Sequence, residues 1–89
     1  MLPDRDLNII RECAKAYEVG ELFLFGSSIS NPETANDIDL GVLGLEPSRF
    51  FSFYGDLFMK LDKPVDLVDL SETSKFTALV FKYGKKIYG

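Results

Sequence analysis

Asp37 and Asp39 stand two residues apart in the stretch Asn36-Asp-Ile-Asp-Leu-Gly-Val42, and on a strand that spacing puts both carboxylates on one face, with Ile38 and Leu40 on the other. Their α-carbons then lie roughly 6.5 to 7 Å apart, close enough for both acids to converge on one or two cations. Two carboxylates facing one way repel unless something positive sits between them. The chain has no histidine and one cysteine, so the expected cation is a hard one, Mg²⁺ or Mn²⁺ rather than zinc. A third acid is wanted, and Asp66 is the best candidate. It has the opposite parity to Val65 and Leu67, which face the core if the Asp37 pattern repeats. Asp69 falls near the end of the same run and reads as a turn or cap residue.

Upstream, Leu24-Phe-Gly-Ser-Ser28 carries the second half of the chemistry. Gly26 has no β-carbon and lets another group approach the backbone closely. Ser27 and Ser28 follow with hydroxyls and amides at what reads as the start of a short helical turn over residues 27–30, and N–H groups at such a start favour phosphate. Nine residues separate Ser27 from Asp37, enough to cross to a neighbouring strand.

Glycines and prolines divide the rest into the elements that must position these groups. Asp4, with Pro3 before it, starts a helix in which Leu7, Ile10, Ala14 and Tyr17 recur at helical spacing until Gly20. Glu21 to Phe25 is a short apolar run, a buried strand, and Asp37 to Leu43 alternates acid and aliphatic residues as a second. Glu46-Pro-Ser48 opens a helix whose Phe50, Phe51, Phe53, Tyr54, Leu57, Phe58 and Leu61 form an apolar stripe wide enough to meet a partner as well as the sheet. Pro64 to Leu70 is a third strand. Ser71 or Thr73 caps a last helix with Phe76, Leu79, Val80 and Tyr83, Gly84 ends it, and Lys86-Ile-Tyr88 adds a short edge strand. The order is that of an α/β fold, a small mixed sheet packed against helices, in one domain over residues 1–89.

Composition removes competing chemistries. Without histidine there is no serine or cysteine nucleophile system of the usual triad kind and no imidazole zinc ligand. Residues 1–70 hold thirteen acids against six bases, and residues 71–89 one acid against four bases. An acidic body argues against a polymeric nucleic acid as partner, while leaving room for a small phosphorylated ligand screened by a cation. The lysines at 82, 85 and 86 form a solvated face that could touch a phosphate or an acidic partner. The charged start MLPDRDLN is not a signal peptide, no run approaches ~18 apolar residues, and Cys13 reads as a buried small hydrophobe; together these lead us to expect a cytoplasmic protein with no membrane span.

The pattern Gly26-Ser27, nine residues, Asp37-Ile-Asp39, and Asp66 on a later strand resembles the DNA polymerase β nucleotidyltransferase superfamily, and specifically its minimal nucleotidyltransferase branch. The ending, Lys63-Pro-Val-Asp-Leu-Val-Asp-Leu70 followed by a helix and Gly84-Lys-Lys-Ile-Tyr88, resembles that branch too, so the likeness runs from about Leu22 to Tyr88. It implies a short mixed sheet with helices on one side. It further implies that Gly26 and Ser27 hold a nucleoside triphosphate, that Asp37 and Asp39 bind two Mg²⁺ ions, and that Asp66 helps ready an attacking hydroxyl. The implied reaction moves a nucleoside monophosphate, AMP from ATP, to a hydroxyl. Members of the branch serve as antitoxins to HEPN-domain ribonuclease toxins, some by adenylylating a tyrosine of the toxin. Members also carry arginines and a glycine shortly after the serine, where this chain has Ser28, Ile29, Ser30 and Asn31. Two function classes follow, an enzyme that modifies its partner and a binding module that neutralises the partner by contact. The sequence leaves the oligomeric state open.

Overall fold

The computed structural model describes residues 2–26 and 37–89. In chain order it contains α1 (Asp4–Ala16), β1 (Glu21–Phe25), β2 (Ile38–Leu43), a single 3₁₀ turn (Pro47–Arg49) running into α2 (Phe50–Lys60), β3 (Val65–Asp69), α3 (Lys75–Tyr83) and β4 (Lys85–Tyr88). The four strands form one sheet in the order β3-β2-β1-β4. β1 runs antiparallel to both β2 and β4, and β2 runs parallel to β3. The parallel pair is possible because α2 supplies the crossover that such a pair requires.

Period-two alternation divides the sheet into two faces. Leu22 and Leu24 of β1, Ile38, Leu40 and Val42 of β2, and Val65 and Leu67 of β3 point one way and join Leu7, Ile10, Ala14, Phe53 and Leu57 of α1 and α2 in the main core. Burying a side chain such as Phe53 or Leu57 completely contributes roughly 1.5 to 3 kcal/mol each, so this layer dominates stability. Tyr17 and Asp56 tie the two helices together at 2.7 Å, with the tyrosine hydroxyl donating. The Arg11 Nε donates to the Ile87 carbonyl at 2.9 Å, fastening α1 to the edge strand.

The opposite face carries a smaller cluster, Phe23, Leu70 and Val80, with Phe25 and Leu43 against it. Here α3 lies on β1, with Phe81 meeting Phe23 and Phe76 meeting Phe25 edge to face at 5.3 and 5.5 Å between ring centroids. The helices therefore cover both faces of the sheet, not one side as the resemblance implied. The cause is in β1: Glu21-Leu-Phe-Leu-Phe25 is apolar on both parities, and a strand of that kind needs cover on both sides.

Several element ends differ from the sequence reading, three of them at a cap or beside the acids. Pro3, not Asp4, is the N-cap of α1, because the Pro3 carbonyl accepts the first helical bond from Leu7 N–H at 3.1 Å; Asp4 and Asp6 sit inside the first turn, where the helix dipole favours them. The cap of α3 is Ser74, not Ser71 or Thr73. Ser74 Oγ accepts from Thr77 N–H at 3.1 Å while Thr77 Oγ1 accepts from Ser74 N–H at 2.9 Å, a reciprocal pair that only this spacing provides. Ser71 is instead held by Asp69, whose Oδ1 accepts its N–H at 2.9 Å, so Asp69 is the turn residue it was expected to be. The ladder of β2 begins at Ile38, whose N–H donates to Pro64 at 2.9 Å, leaving Asp37 one residue before the strand.

Candidate functional site

β2 and β3 run parallel and in register, so Asp39 lies opposite Asp66, as Ile38 does Val65 and Leu40 does Leu67. Residues opposite one another share a face at about 4.8 Å between strands, and the neighbours of both acids on the other parity are core residues. The two carboxylates therefore stand side by side on the face that carries α3, beyond the part of the sheet α3 covers. Asp37 is exposed at the entry to β2. It is near enough to be felt: burial first, then the charge of Asp66, then that of Asp37 raise the Asp39 carboxyl above the usual carboxylate range.

Gly26 closes β1 in the left-handed region, at φ 68°, a conformation that costs L residues with a β-carbon. Its neighbour Phe25 is the register partner of Asp39 across β1 and β2. A β-carbon added to Gly26 would stand 2.5 Å from Asp39 Oδ2, so the missing side chain is the space the carboxylate occupies. The close approach expected at Gly26 is thus an approach by Asp39. Ser27 and Ser28, the other expected phosphate-holding residues, lie outside the described residues, as does the expected turn over 27–30.

Three carboxylates with no imidazole or thiolate beside them make a donor set that suits a hard cation, and the part of the Asp39 elevation that comes, after burial, from the charges of Asp66 and Asp37 is the part a divalent cation relieves. Their positions are less converged than their chemistry. Among the described residues no group of three acidic, cysteine or histidine side chains stands in metal-holding geometry. Asp37 and Asp66 are both exposed, and mutual repulsion opposes drawing such side chains together.

One residue at the site escaped the sequence reading. Gly41 shares the face of Asp39, two residues along β2, and Leu70 lies directly on it, with a side-chain atom 2.6 Å from where a β-carbon would be. A glycine in the middle of a strand is a signal of close approach, and here it marks where Leu70 packs over the floor beside the acids. Among the described residues no helix is long and apolar enough to cross a membrane.

The comparisons agree with this architecture. The family model described as polymerase beta, nucleotidyltransferase matches residues 8–89. Among solved structures, a chain of a toxin–antitoxin complex with AMP-PNP superposes with a TM-score of 0.75 at 29% identity, over 93% of this chain and 73% of that one. A chain of the MntA–HepT toxin–antitoxin complex gives 0.69 at 27%, over 94% and 70%. A complex of tri-AMPylated HEPN toxin with MNT antitoxin from Shewanella oneidensis gives 0.70 at 27%, again over 94% and 70%. None of the curated protein sequences matches. With a family model spanning all but its first seven residues and the strand order that sets Asp39 beside Asp66, the chain belongs to the polymerase beta nucleotidyltransferase family.

Proposed function

We propose that this protein is a Mg²⁺-dependent nucleotidyltransferase that moves AMP from ATP to a hydroxyl of a partner protein, a HEPN-type ribonuclease toxin, and acts as that toxin's antitoxin in the cytoplasm. The observation that carries the reading is the register of Asp39 with Asp66, with Gly26 shaped around the Asp39 carboxylate at the end of the strand next door. Family membership supports transferase chemistry. The AMP-PNP in one similar complex and the AMPylated toxin in another support the choice of nucleotide and acceptor.

In this reading Asp37, Asp39 and Asp66 hold Mg²⁺, which supplies charge neutralisation at the phosphate oxygens and an acceptor hydroxyl that is easier to deprotonate. Gly26, Ser27 and Ser28 orient the triphosphate through backbone amides and hydroxyls, with Gly26 keeping the backbone clear of Asp39. The acceptor oxygen attacks the α-phosphorus in line, a bond forms between them, and the bond to the bridging oxygen breaks. Pyrophosphate leaves with that electron pair, and the hydroxyl proton passes to the Asp66 carboxylate and on to solvent. No histidine is needed for any of these steps.

A second reading, neutralisation by contact without transfer, has one observation in its favour: Ser28, Ile29, Ser30 and Asn31 bring no cation to a triphosphate. Co-expression with the toxin separates the two. Rescue of growth by the wild-type chain and its loss with Asp39→Asn supports the transferase. Full rescue by Asp39→Asn sinks it in favour of the binding module.

A further inference from the structure

A cleft of about 450 Å³ opens beside Gly26, between the end of β1 and α3. Phe25 and Gly26 form one wall and Phe76, Leu79, Val80 and Tyr83 the other. No described residue lining it is charged. Phe76, Leu79 and Tyr83 are 46, 55 and 67% exposed, a row of large apolar side chains at helical spacing left to water on the face where the acids stand. Its position is what distinguishes it from an ordinary exposed patch. Gly26 belongs both to this cleft and to the contact with Asp39, and Phe25, in its wall, is the register partner of Asp39 one strand away, about 5 Å.

From this juxtaposition we propose that the cleft seats the nucleobase of the nucleoside triphosphate, by stacking on Phe76 and Tyr83 and burial against Leu79. The inference rests on the functional reading above and deepens it. A group covalently tied to a phosphate at Gly26 and Asp39 is delivered to the cleft by the ribose that links them, whereas any other occupant must arrive independently. The chemistry of the lining matches a flat π-system: aromatic rings to stack on, aliphatic surface to exclude water, and few polar groups to read base edges. Recognition of this kind holds purines through stacking area and discriminates poorly between adenine and guanine, so ATP and GTP bind within a few-fold of each other and CTP more weakly.

The test compares ATP with inorganic tripolyphosphate, which carries the phosphates and no base, by titration calorimetry in Mg²⁺ on the full chain. The variants are Phe76→Ala, which removes a stacking ring, and Leu79→Trp, which fills the cleft from an exposed position; a thermal melt checks that each folds. Expected is a roughly 10- to 100-fold loss of ATP affinity in both variants, the range that removal of a base–aromatic stack covers, with tripolyphosphate affinity unchanged within twofold. Unchanged ATP affinity in Leu79→Trp overturns the assignment and leaves the transferase reading standing. Equal losses for both ligands overturn it too, as does a variant that keeps ATP affinity but raises KM for the protein acceptor, which would give the cleft to an acceptor side chain. A wild-type chain that binds neither ligand removes the functional reading and this one together.

Discussion

Replacing Gly26 by alanine probes the candidate site where backbone geometry and the Asp39 carboxylate meet. At φ 68° a β-carbon costs roughly 1 to 2 kcal/mol of backbone strain. The second cost is positional. The added carbon would come within 2.5 Å of Asp39 Oδ2, and because that oxygen ends a rotatable side chain, the carboxylate turns away rather than the strand. Folding survives, since a domain commonly has about 5 kcal/mol or more in hand, but melting falls by roughly 4 to 16 °C. Transfer falls further than stability explains, on the order of a hundredfold, because an ångström of misplacement at a reacting group costs about that much. Gly55 is the control. It lies inside α2 with nothing within 4 Å of where a β-carbon would be, so Gly55→Ala gains roughly 0.5 to 1 kcal/mol and melts higher with transfer unchanged. The assay pairs thermal unfolding with initial rates of AMP transfer under saturating ATP. A Gly26→Ala variant that melts and transfers like wild type, or two glycine variants that move together, would refute this role for Gly26.

Four further perturbations test the same structure. Gly41→Ala overpacks β2 against Leu70 and lowers stability by about 1 to 3 kcal/mol, to be read from denaturant midpoints; a neutral result contradicts the packing described. Asp66→Asn brings the Asp39 carboxyl down towards its ordinary value, seen by carboxyl-carbon NMR titration, since after burial the Asp66 charge is the largest cause of its elevation. Because the folded Asp39 value is raised, its contribution to stability is complete below its ordinary 3.8 and is lost as pH rises through the folded value. Asp39→Asn therefore melts higher than wild type at neutral pH in EDTA, and Mg²⁺ with ATP narrows or reverses the gap by stabilising wild type alone. Cys13, raised by burial above 9.0, alkylates slowly in the folded protein at pH 8, and the stability it lends disappears as pH climbs through its folded value; Cys13→Ala flattens that alkaline decline.

The acids were legible in the sequence because strand parity is a strict period. Asp39 and Asp66 each interrupt aliphatic residues of opposite parity, and a parallel pairing that buries Ile38, Leu40, Val65 and Leu67 on one face must bring the two carboxylates out together on the other. What the sequence did not show was which side α3 takes. Phe76, Leu79, Val80 and Tyr83 mark an apolar stripe but not the face of the sheet it meets, and the deciding evidence lay in β1, where Phe23 and Phe25 needed cover of their own. The stripe on α2 divided as its width suggested: Phe53, Leu57 and Leu61 are buried, while Phe51 and Phe58 are 83 and 63% exposed, more apolar surface than the sheet below can take. Caps were misplaced by one residue at Pro3 and, for the candidates Thr73 and Ser71, by one and three residues at Ser74, because a cap is fixed by which carbonyl or hydroxyl completes a hydrogen bond, and several candidates stood close together in the chain.

The proposed transferase activity stands or falls on group transfer to a partner. With ATP labelled at its α-phosphate, Mg²⁺ and a purified HEPN-type toxin, it predicts label joined covalently to a hydroxyl side chain of the toxin, released pyrophosphate in equal amount, and loss of both with Asp39→Asn or with EDTA. A toxin left unlabelled by the wild-type chain, or labelled equally well by Asp39→Asn, would contradict it.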